Sequence, residues 1–186
     1  MSNSFAVMAS SARWGTGTDV WPTPQTFFDT INAEFSFTLD VCALQENTKC
    51  TEFYSPEQNG LTQEWRGTCW CNPPYSQLRE WITKARQEAE KGATVVMLIP
   101  ARTDTRAWHE HIFGNPNVEV RFIKGRIVYQ KRTPSPFPSA VIIFRPGKGL
   151  DIQPHGVSQP TQEIRPARRY FSGPLQCAID FDDRPN

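Results

Sequence analysis

The chain has 186 residues, a formal net charge of +1 and ordinary shares of hydrophobic (38%) and charged (21%) residues. A chain of this size suits one domain and can bury a core without disulfide staples. No segment approaches the ~20 apolar residues that span a membrane, and no secretory signal is recognisable, so we expect a cytoplasmic protein. The odd number of cysteines, 5, is typical of reduced, free thiols.

Charge is distributed unevenly along the chain. Between Asp19 and Glu64 the charged residues are acidic except for Lys49, whereas every charged residue from Arg121 to Arg145 is basic. An acidic half suits a cationic small molecule, and a basic half suits the phosphates of a nucleic acid. The alternative is that both halves are simply solvated surface.

The first predicted elements are an arm and a helix. Residues 1–18 are rich in Ser, Ala and Gly and are predicted to form a flexible N-terminal arm. The segment Trp21-Pro22-Thr23-Pro24 predicts a helix start, with Thr23 as N-cap and Pro24 in the first helical position. Apolar residues at helical spacing follow and define one buried face: Phe27, Phe28, Ile31 and Phe35.

Three strands are predicted next. Residues 37–41 and 51–54 have the pattern of short strands, and an Asn59-Gly60 turn follows them. Residues 68–71 form the third strand. It ends at Asn72-Pro73-Pro74, because a pair of prolines removes two backbone donors from a ladder.

A second helix and a buried strand come after the prolines. Ser76 is the predicted N-cap, Gly92 ends the helix, and Glu80 forms an i,i+4 pair with Lys84. The apolar stripe of this helix consists of Leu78, Trp81, Ile82, Ala85 and Ala89. Residues 94–99 are an almost continuous apolar run, which predicts a central strand covered on both faces.

The last predicted elements close the sheet. A helix is expected over residues 105–113, and residues 118–129 and 140–144 form a hairpin-like pair of strands. Alternating strands and helices predict an α/β fold with a central, mostly parallel sheet and helices on both faces. The periodicity fades after Pro146, so we expect one domain over residues 19–146 and an irregular C-terminal tail over residues 147–186.

The segment Asn72-Pro73-Pro74-Tyr75 is the strongest candidate for chemistry. The prolines form a rigid corner at the carboxyl end of a strand, where α/β sheets bind ligands. The Asn72 side-chain oxygen and the Pro73 carbonyl are two acceptors that can hold both hydrogens of an amino group, and Tyr75 offers a flat ring for stacking. Orientation of this kind frees the lone pair of an aromatic amine without a His, a Cys or a metal.

An ordered set of segments around this corner resembles the phage-type DNA N6-adenine methyltransferase family (Dam-like). The resemblance covers about residues 19–144 and rests on Trp21–Pro24, Phe37–Ala43, Trp70–Tyr75, Leu98–Thr105, Gly125-Arg126 and Pro136–Ala140. It implies a Rossmann-like class I methyltransferase fold, with residues 19–146 as the catalytic domain. It also implies methyl transfer from S-adenosylmethionine to adenine N6 in DNA, in a bacterial host cell if the protein is encoded by a phage or prophage.

The resemblance implies roles for individual residues. Asn72 and Pro73, with Pro74 beside them, would hold the target amino group, and Tyr75 would stack on the adenine flipped out of a double-stranded substrate. S-adenosylmethionine would contact Trp21, Thr23, Pro24, Asp40 and Ala43. DNA phosphates would contact Arg102, Lys124, Arg126, Lys131 and Arg132.

Other interpretations of the same residues stay open. Asn-Pro-Pro also occurs in ordinary turns, and the same amino-group chemistry serves RNA adenines and protein glutamine side chains. The basic late segment favours a nucleic acid. Because the segment after Asp40 lacks the glycine-rich loop of many methyltransferases, a catalytically idle DNA-binding module is a further alternative.

The cysteines raise the question of a metal site. Cys69 and Cys71 share one face of the predicted strand, with Cys42 and Cys50 as further candidate ligands. Structural zinc sites show regularly spaced cysteine pairs, and these spacings are irregular. We therefore favour buried free thiols and predict no metal.

Overall fold

The computed structural model describes residues 21–129 and 134–147. The predicted arm over residues 1–18 lies outside the described residues, and so does the predicted tail beyond residue 147. The described helices are α1 (Gln25–Phe35), α2 (Leu78–Glu90) and a π-helical turn (Trp108–Ile112). The strands are β1 (Leu39–Asp40), β2 (Glu52–Phe53), β3 (Thr68–Cys71), β4 (Thr94–Pro100), β5 (Val118–Phe122) and β6 (Ser139–Phe144).

The six strands form one sheet in the order β2-β1-β3-β4-β6-β5. β2, β1, β3 and β4 are parallel to their neighbours, and β6 runs antiparallel to both β4 and β5. The predicted mostly parallel sheet with a late antiparallel pair is therefore confirmed. Because β6 alone is reversed, the carboxyl ends of the other five strands lie along one edge of the sheet.

The core lies on both faces of this sheet. Along β4, Val95, Met97 and Ile99 pack with α2 and the π-helical turn, whereas Val96 and Leu98 pack with α1. All five of these side chains are fully buried. The predicted central strand with helices on both faces is confirmed, as is the apolar stripe of α2, each member of which is buried. No helix among residues 21–129 and 134–147 is long and apolar enough to cross a membrane.

Both predicted helix caps are wrong. α1 begins after Pro24, which is its N-cap, and the hydroxyl of Thr23 instead contacts Asn72. Pro24 has extended rather than helical backbone, with φ −56° and ψ 138°, so the helix starts one residue later than predicted. Ser76 lies in a 3₁₀ turn, Tyr75–Gln77, and Gln77 caps α2.

Three other elements differ in detail. β1 is confined to two residues, flanked by the backbone bonds from Thr38 N to Thr68 O and from Val41 N to Trp70 O. The helix expected over residues 105–113 narrows to the π-helical turn, closed by a 2.8 Å bond from Phe113 N to Trp108 O. β5 ends at Phe122, so residues 123–129 do not continue the predicted strand.

A buried carboxylate joins α2 to the loop before β3. Glu88 is fully buried, and its oxygens accept hydrogen bonds from Lys84 and Lys91 at 2.7 Å and from Trp65 N at 3.1 Å. Burial raises the pKa of Glu88, but these hydrogen bonds outweigh it and the pKa lies below its usual value. Lys84 therefore pairs with Glu88 rather than with the predicted partner Glu80.

This network gives a prediction about stability. Glu88→Ala removes three hydrogen bonds and leaves the buried Trp65 N–H without its acceptor, so we expect the free energy of unfolding to fall by about 2–3 kcal/mol. Glu90→Ala removes only the exposed pair with Arg86 and should cost less than about 0.5 kcal/mol. Urea unfolding of both variants measures the two free energies of unfolding. Equal decreases for Glu88→Ala and Glu90→Ala would show that the buried network adds no more stability than an exposed ion pair.

Candidate active site

Three segments meet at the carboxyl ends of β1 and β3. These neighbouring strands are parallel, with Asp40 opposite Trp70, so the residues that follow them lie side by side. The segment before α1 completes the site. A narrow cleft lies between the three segments, with about 430 Å³ of empty space including its open mouth. Its walls include Trp21, Thr23, Asp40, Ala43, Asn72 and Pro73.

The cleft brings together most of the residues singled out in the sequence. Four of the five residues expected at the cofactor line it, together with the corner residues Asn72, Pro73 and Pro74. Pro24 is not among the lining residues and instead caps α1 beside the cleft. Lys49 also lines the cleft, a position that the sequence pattern did not identify.

The side-chain amide of Asn72 is held by the segment before α1. Its Nδ2 donates to the carbonyl oxygen of Trp21 at 2.5 Å and to Oγ1 of Thr23 at 3.0 Å. A carbonyl oxygen only accepts, so the nitrogen end of the amide must point towards Trp21. Oδ1 is therefore the end left for an incoming donor; its neighbour Tyr75 Oη lies 3.4 Å away, at the limit of a hydrogen bond.

Tyr75 is covered in this structure. Its exposed fraction is 8%, and it is not among the residues that line the cleft. Its ring and that of Phe137 are nearly perpendicular, with centroids 5.3 Å apart and planes at 83°, and its hydroxyl lies 3.2 Å from that of Tyr129. The placement of Tyr129 and Phe137 beside the corner was not predicted, because both residues reach it through long-range packing.

Asp40 places a buried carboxyl group in the cleft wall. Only 3% of the residue is exposed, and its oxygens accept from Cys42 N at 3.2 Å and Lys49 N at 3.0 Å. Burial raises the pKa of Asp40 to about 6, against the lowering effect of those two hydrogen bonds. The group is thus mainly ionised at neutral pH, and an ionised carboxylate in a cleft favours a cationic ligand.

Three of the five predicted DNA-contacting residues fall at the same edge of the sheet. Arg102 follows β4, while Lys124 and Arg126 follow β5, and all three are exposed. Lys131 and Arg132 lie outside the described residues.

Two other bases of the predicted basic half serve the fold instead. Arg121 binds Glu34 through both terminal nitrogens, at 2.5 and 2.7 Å, and also contacts Glu119 at 2.6 Å. Arg145 pairs with Glu119 at 2.8 Å and follows β6, which ends at the opposite edge of the sheet. Arg121 is thus largely covered by its ion pairs, whereas Arg145 stays exposed at the surface beside Glu119.

Three of the four cysteines among the described residues are packed into the interior, and Cys50 is half-buried. Cys42, Cys69 and Cys71 are buried in the core on the α2 side, and burial raises the pKa of each thiol, to about 12 for Cys69. Thiols with raised pKa values are poor nucleophiles and poor metal ligands at neutral pH. Within the described parts of the chain, no group of three or more His, Cys, Asp or Glu residues is arranged to hold a metal.

Asp40 gives a prediction about pH. In the unfolded chain its pKa is near 3.8, and in the folded protein it is about 6. Between these pH values the folded protein keeps a proton on Asp40 that the unfolded chain releases. The free energy of unfolding therefore falls as pH rises, and above the folded pKa the total loss due to Asp40 is about 3 kcal/mol.

We therefore compare the free energy of unfolding of Asp40→Asn with that of the parent protein. The difference, variant minus parent, should increase by about 2 kcal/mol between about pH 4.5 and about pH 8. Denaturant unfolding at a series of pH values measures this difference. Asp104→Asn, which removes an exposed carboxyl, is the matched control for the loss of one negative charge. A constant difference between parent and Asp40→Asn would contradict the assignment.

Comparison with known proteins identifies the family. A family model described as DNA N-6-adenine-methyltransferase (Dam) matches residues 11–148. The chain is 33% identical over 138 residues to the DNA N-6-adenine-methyltransferase of Haemophilus phage HP1 (strain HP1c1), covering 69% of this chain and 79% of the relative.

Two shorter matches agree with it. The DNA N-6-adenine-methyltransferase of Escherichia phage T1 is 36% identical over 93 residues, which are 48% of this chain and 39% of the relative. The putative methyltransferase YfdM of Escherichia coli (strain K12) is 37% identical over 65 residues, 31% of this chain and 71% of the relative. With a family model that matches most of its length, the chain belongs to the DNA N-6-adenine-methyltransferase (Dam) family.

Proposed function

We propose that this protein transfers a methyl group from S-adenosylmethionine to the N6 amino group of adenine in DNA, at the corner formed by Asn72, Pro73, Pro74 and Tyr75. The observation that carries the proposal is the orientation of the Asn72 amide. Its nitrogen is engaged by Trp21 and Thr23, which leaves Oδ1 as an acceptor for an N–H of the substrate. The names of the phage relatives supply the substrate class.

The proposed role of the corner is to orient adenine N6, which is a weak nucleophile. The lone pair of adenine N6 is delocalised into the ring, so the nitrogen attacks poorly while it remains conjugated. Asn72 Oδ1 and the Pro73 carbonyl would accept the two amino hydrogens and favour a geometry in which the lone pair points out of the ring system. Preorganised acceptors of this kind act by orientation, and the methylated nitrogen, which becomes cationic as it gains the methyl group, would then release one amino proton to solvent.

The cleft residues suit S-adenosylmethionine as the methyl donor. When bound, this cofactor supplies a methyl group carried on a cationic sulfur. The ionised Asp40 offers a counter-charge within the cleft, which Trp21, Thr23 and Ala43 also line, while Pro24 caps α1 beside it. A cleft at the carboxyl ends of parallel strands is where doubly wound sheets bind ligands. We accordingly assign the fold to the Rossmann-like class I methyltransferases, with residues 19–146 as the catalytic domain.

Access of adenine to the corner needs two rearrangements. In duplex DNA the base must be flipped out of the stack, at a cost of a few kcal/mol. Phosphate contacts from Arg102, Lys124 and Arg126, with Lys131 and Arg132 nearby in sequence, would offset part of this cost. In the protein, the side chains that cover Tyr75 must shift before a base can stack on it, since only 8% of the residue is exposed, and Phe137 is one of its neighbours.

Asn72→Ala tests the proposed chemistry. Removing the acceptor should lower the rate of adenine methylation by about 100-fold or more, the usual effect of losing one preorganised hydrogen bond in an active site. Label transfer from S-adenosylmethionine to unmethylated DNA measures the rate, and RNA and protein fractions tested in parallel reveal a different substrate. Gln87→Ala removes an exposed carboxamide on α2 and should retain full activity. Undiminished methylation by Asn72→Ala would refute the role of the corner.

Arg126→Ala tests the proposed DNA contact. The affinity for DNA decreases with salt, so a plot of log affinity against log salt concentration has a negative slope. If Arg126 neutralises one phosphate, the magnitude of this slope should be smaller by about 0.9 for Arg126→Ala than for the parent protein. Arg66→Ala is the matched control, because Arg66 is exposed and pairs with Glu64 before β3, away from the proposed contact. Binding to a short duplex at several salt concentrations gives both slopes. The same slope for Arg126→Ala and the parent protein would remove Arg126 from the interface.

A further inference from the structure

We infer that Thr23 is a positioning residue, whose hydroxyl fixes the amide of Asn72 so that Oδ1 is presented to the substrate. The inference rests on the proposed function of Asn72 and changes the role expected for Thr23, from a cofactor contact to a support of the catalytic amide. Its basis is the 3.0 Å bond from Asn72 Nδ2 to Thr23 Oγ1.

The two acceptors around Nδ2 match its two hydrogens. An amide nitrogen carries two N–H donors, and Trp21 O and Thr23 Oγ1 take one each. The nitrogen end of Asn72 is then saturated. If the amide were turned by 180°, Oδ1 would face the Trp21 carbonyl, two acceptors without a proton between them. The arrangement therefore selects one of the two orientations.

The segment that carries these acceptors is stiff. Pro22 and Pro24 flank Thr23 and fix their own backbone torsions, and Pro24 is held extended with φ −56° and ψ 138°. Pro24 also restricts Thr23, since a residue before proline avoids helical backbone. Thr23 itself is buried, with 4% of its surface exposed. A buried hydroxyl on a stiff segment can hold a partner side chain with little loss of conformational entropy.

A positioning role and a cofactor contact predict different kinetics. If Thr23 supports Asn72, losing its hydroxyl frees one amide hydrogen and loosens the side chain, while the Trp21 carbonyl still biases its orientation. The turnover rate at saturating substrates then falls, and affinity for the cofactor stays close to that of the parent. If Thr23 instead binds the cofactor, affinity falls and turnover at saturation recovers.

The test compares Thr23→Val, which keeps the shape without the hydroxyl, with Thr23→Ser, which keeps the hydroxyl. We expect Thr23→Val to lower kcat by about 10- to 100-fold, with the Kd for S-adenosylmethionine and for DNA within about 2-fold of the parent values. Thr23→Ser should restore most of kcat. Thr30→Val removes an exposed hydroxyl that bonds only to the backbone of α1, so it controls for loss of a threonine hydroxyl nearby.

A measurement on the parent protein is independent of variant folding. In spectra of ¹⁵N-labelled protein, with Asn72 assigned by its absence from Asn72→Ala, both Nδ2 hydrogens should exchange slowly with solvent. Rapid exchange of both would overturn the inference.

The kinetic outcomes separate the inference from the proposed function. Full activity of Asn72→Ala refutes the proposed function, whereas an inactive Asn72→Ala beside a fully active Thr23→Val refutes only the role of Thr23. A Thr23→Val protein with a raised cofactor Kd and an unchanged kcat also overturns the inference, in favour of a cofactor contact.

Discussion

The hydrogen bonds between Asn72 and the segment before α1 are the constraint on which the rest of the site depends. The oxygen and nitrogen ends of a side-chain amide have nearly the same shape, so a rigid proline corner cannot decide which end faces a substrate. The Trp21 carbonyl decides it, because it only accepts. Its position depends on α1, whose Phe27 and Phe28 are buried against the sheet. The packing of one helix thus sets the chemistry of a motif about fifty residues further along the chain.

Asp40 shows how the same cleft combines function with a cost in stability. Burial favours the protonated form of its carboxyl group and raises the pKa. Two backbone N–H groups bond to its oxygens and lower the pKa again, so the group is ionised at neutral pH. A cationic ligand bound beside it would relieve part of the desolvation cost. Ligand binding and folding stability are then coupled, because whatever binds only the folded state stabilises it. A neutral residue at this position would favour the fold and forfeit the counter-charge.

Local signals predicted the frame of the fold and the proline corner, and the family resemblance named the residues expected around the cofactor. Neither predicted how these side chains are held. β3 and the buried stripe of α2 follow from runs and periods within a few residues, and the structure confirms both. Thr23 failed as an N-cap because a distant side chain uses its hydroxyl. Phe137 and Tyr129 were missed for the same reason: they reach Tyr75 only once β6 has paired with β4. Such errors arise where tertiary contacts compete with local preferences.

Position relative to strand ends separates the charged residues better than charge density does. Arg121 lies within β5 and Arg145 follows the reversed strand β6. Both form ion pairs with glutamates of the same chain. Arg102 and Lys124 follow β4 and β5, which end at the same edge as β1 and β3. The acidic Asp40 and the neutral Asn72 share this position, since each lies at or just beyond the carboxyl end of a parallel strand. One topological feature thus brings a buried carboxylate, an oriented amide and exposed bases to a single edge, and the proposed methyl transfer to DNA uses all three.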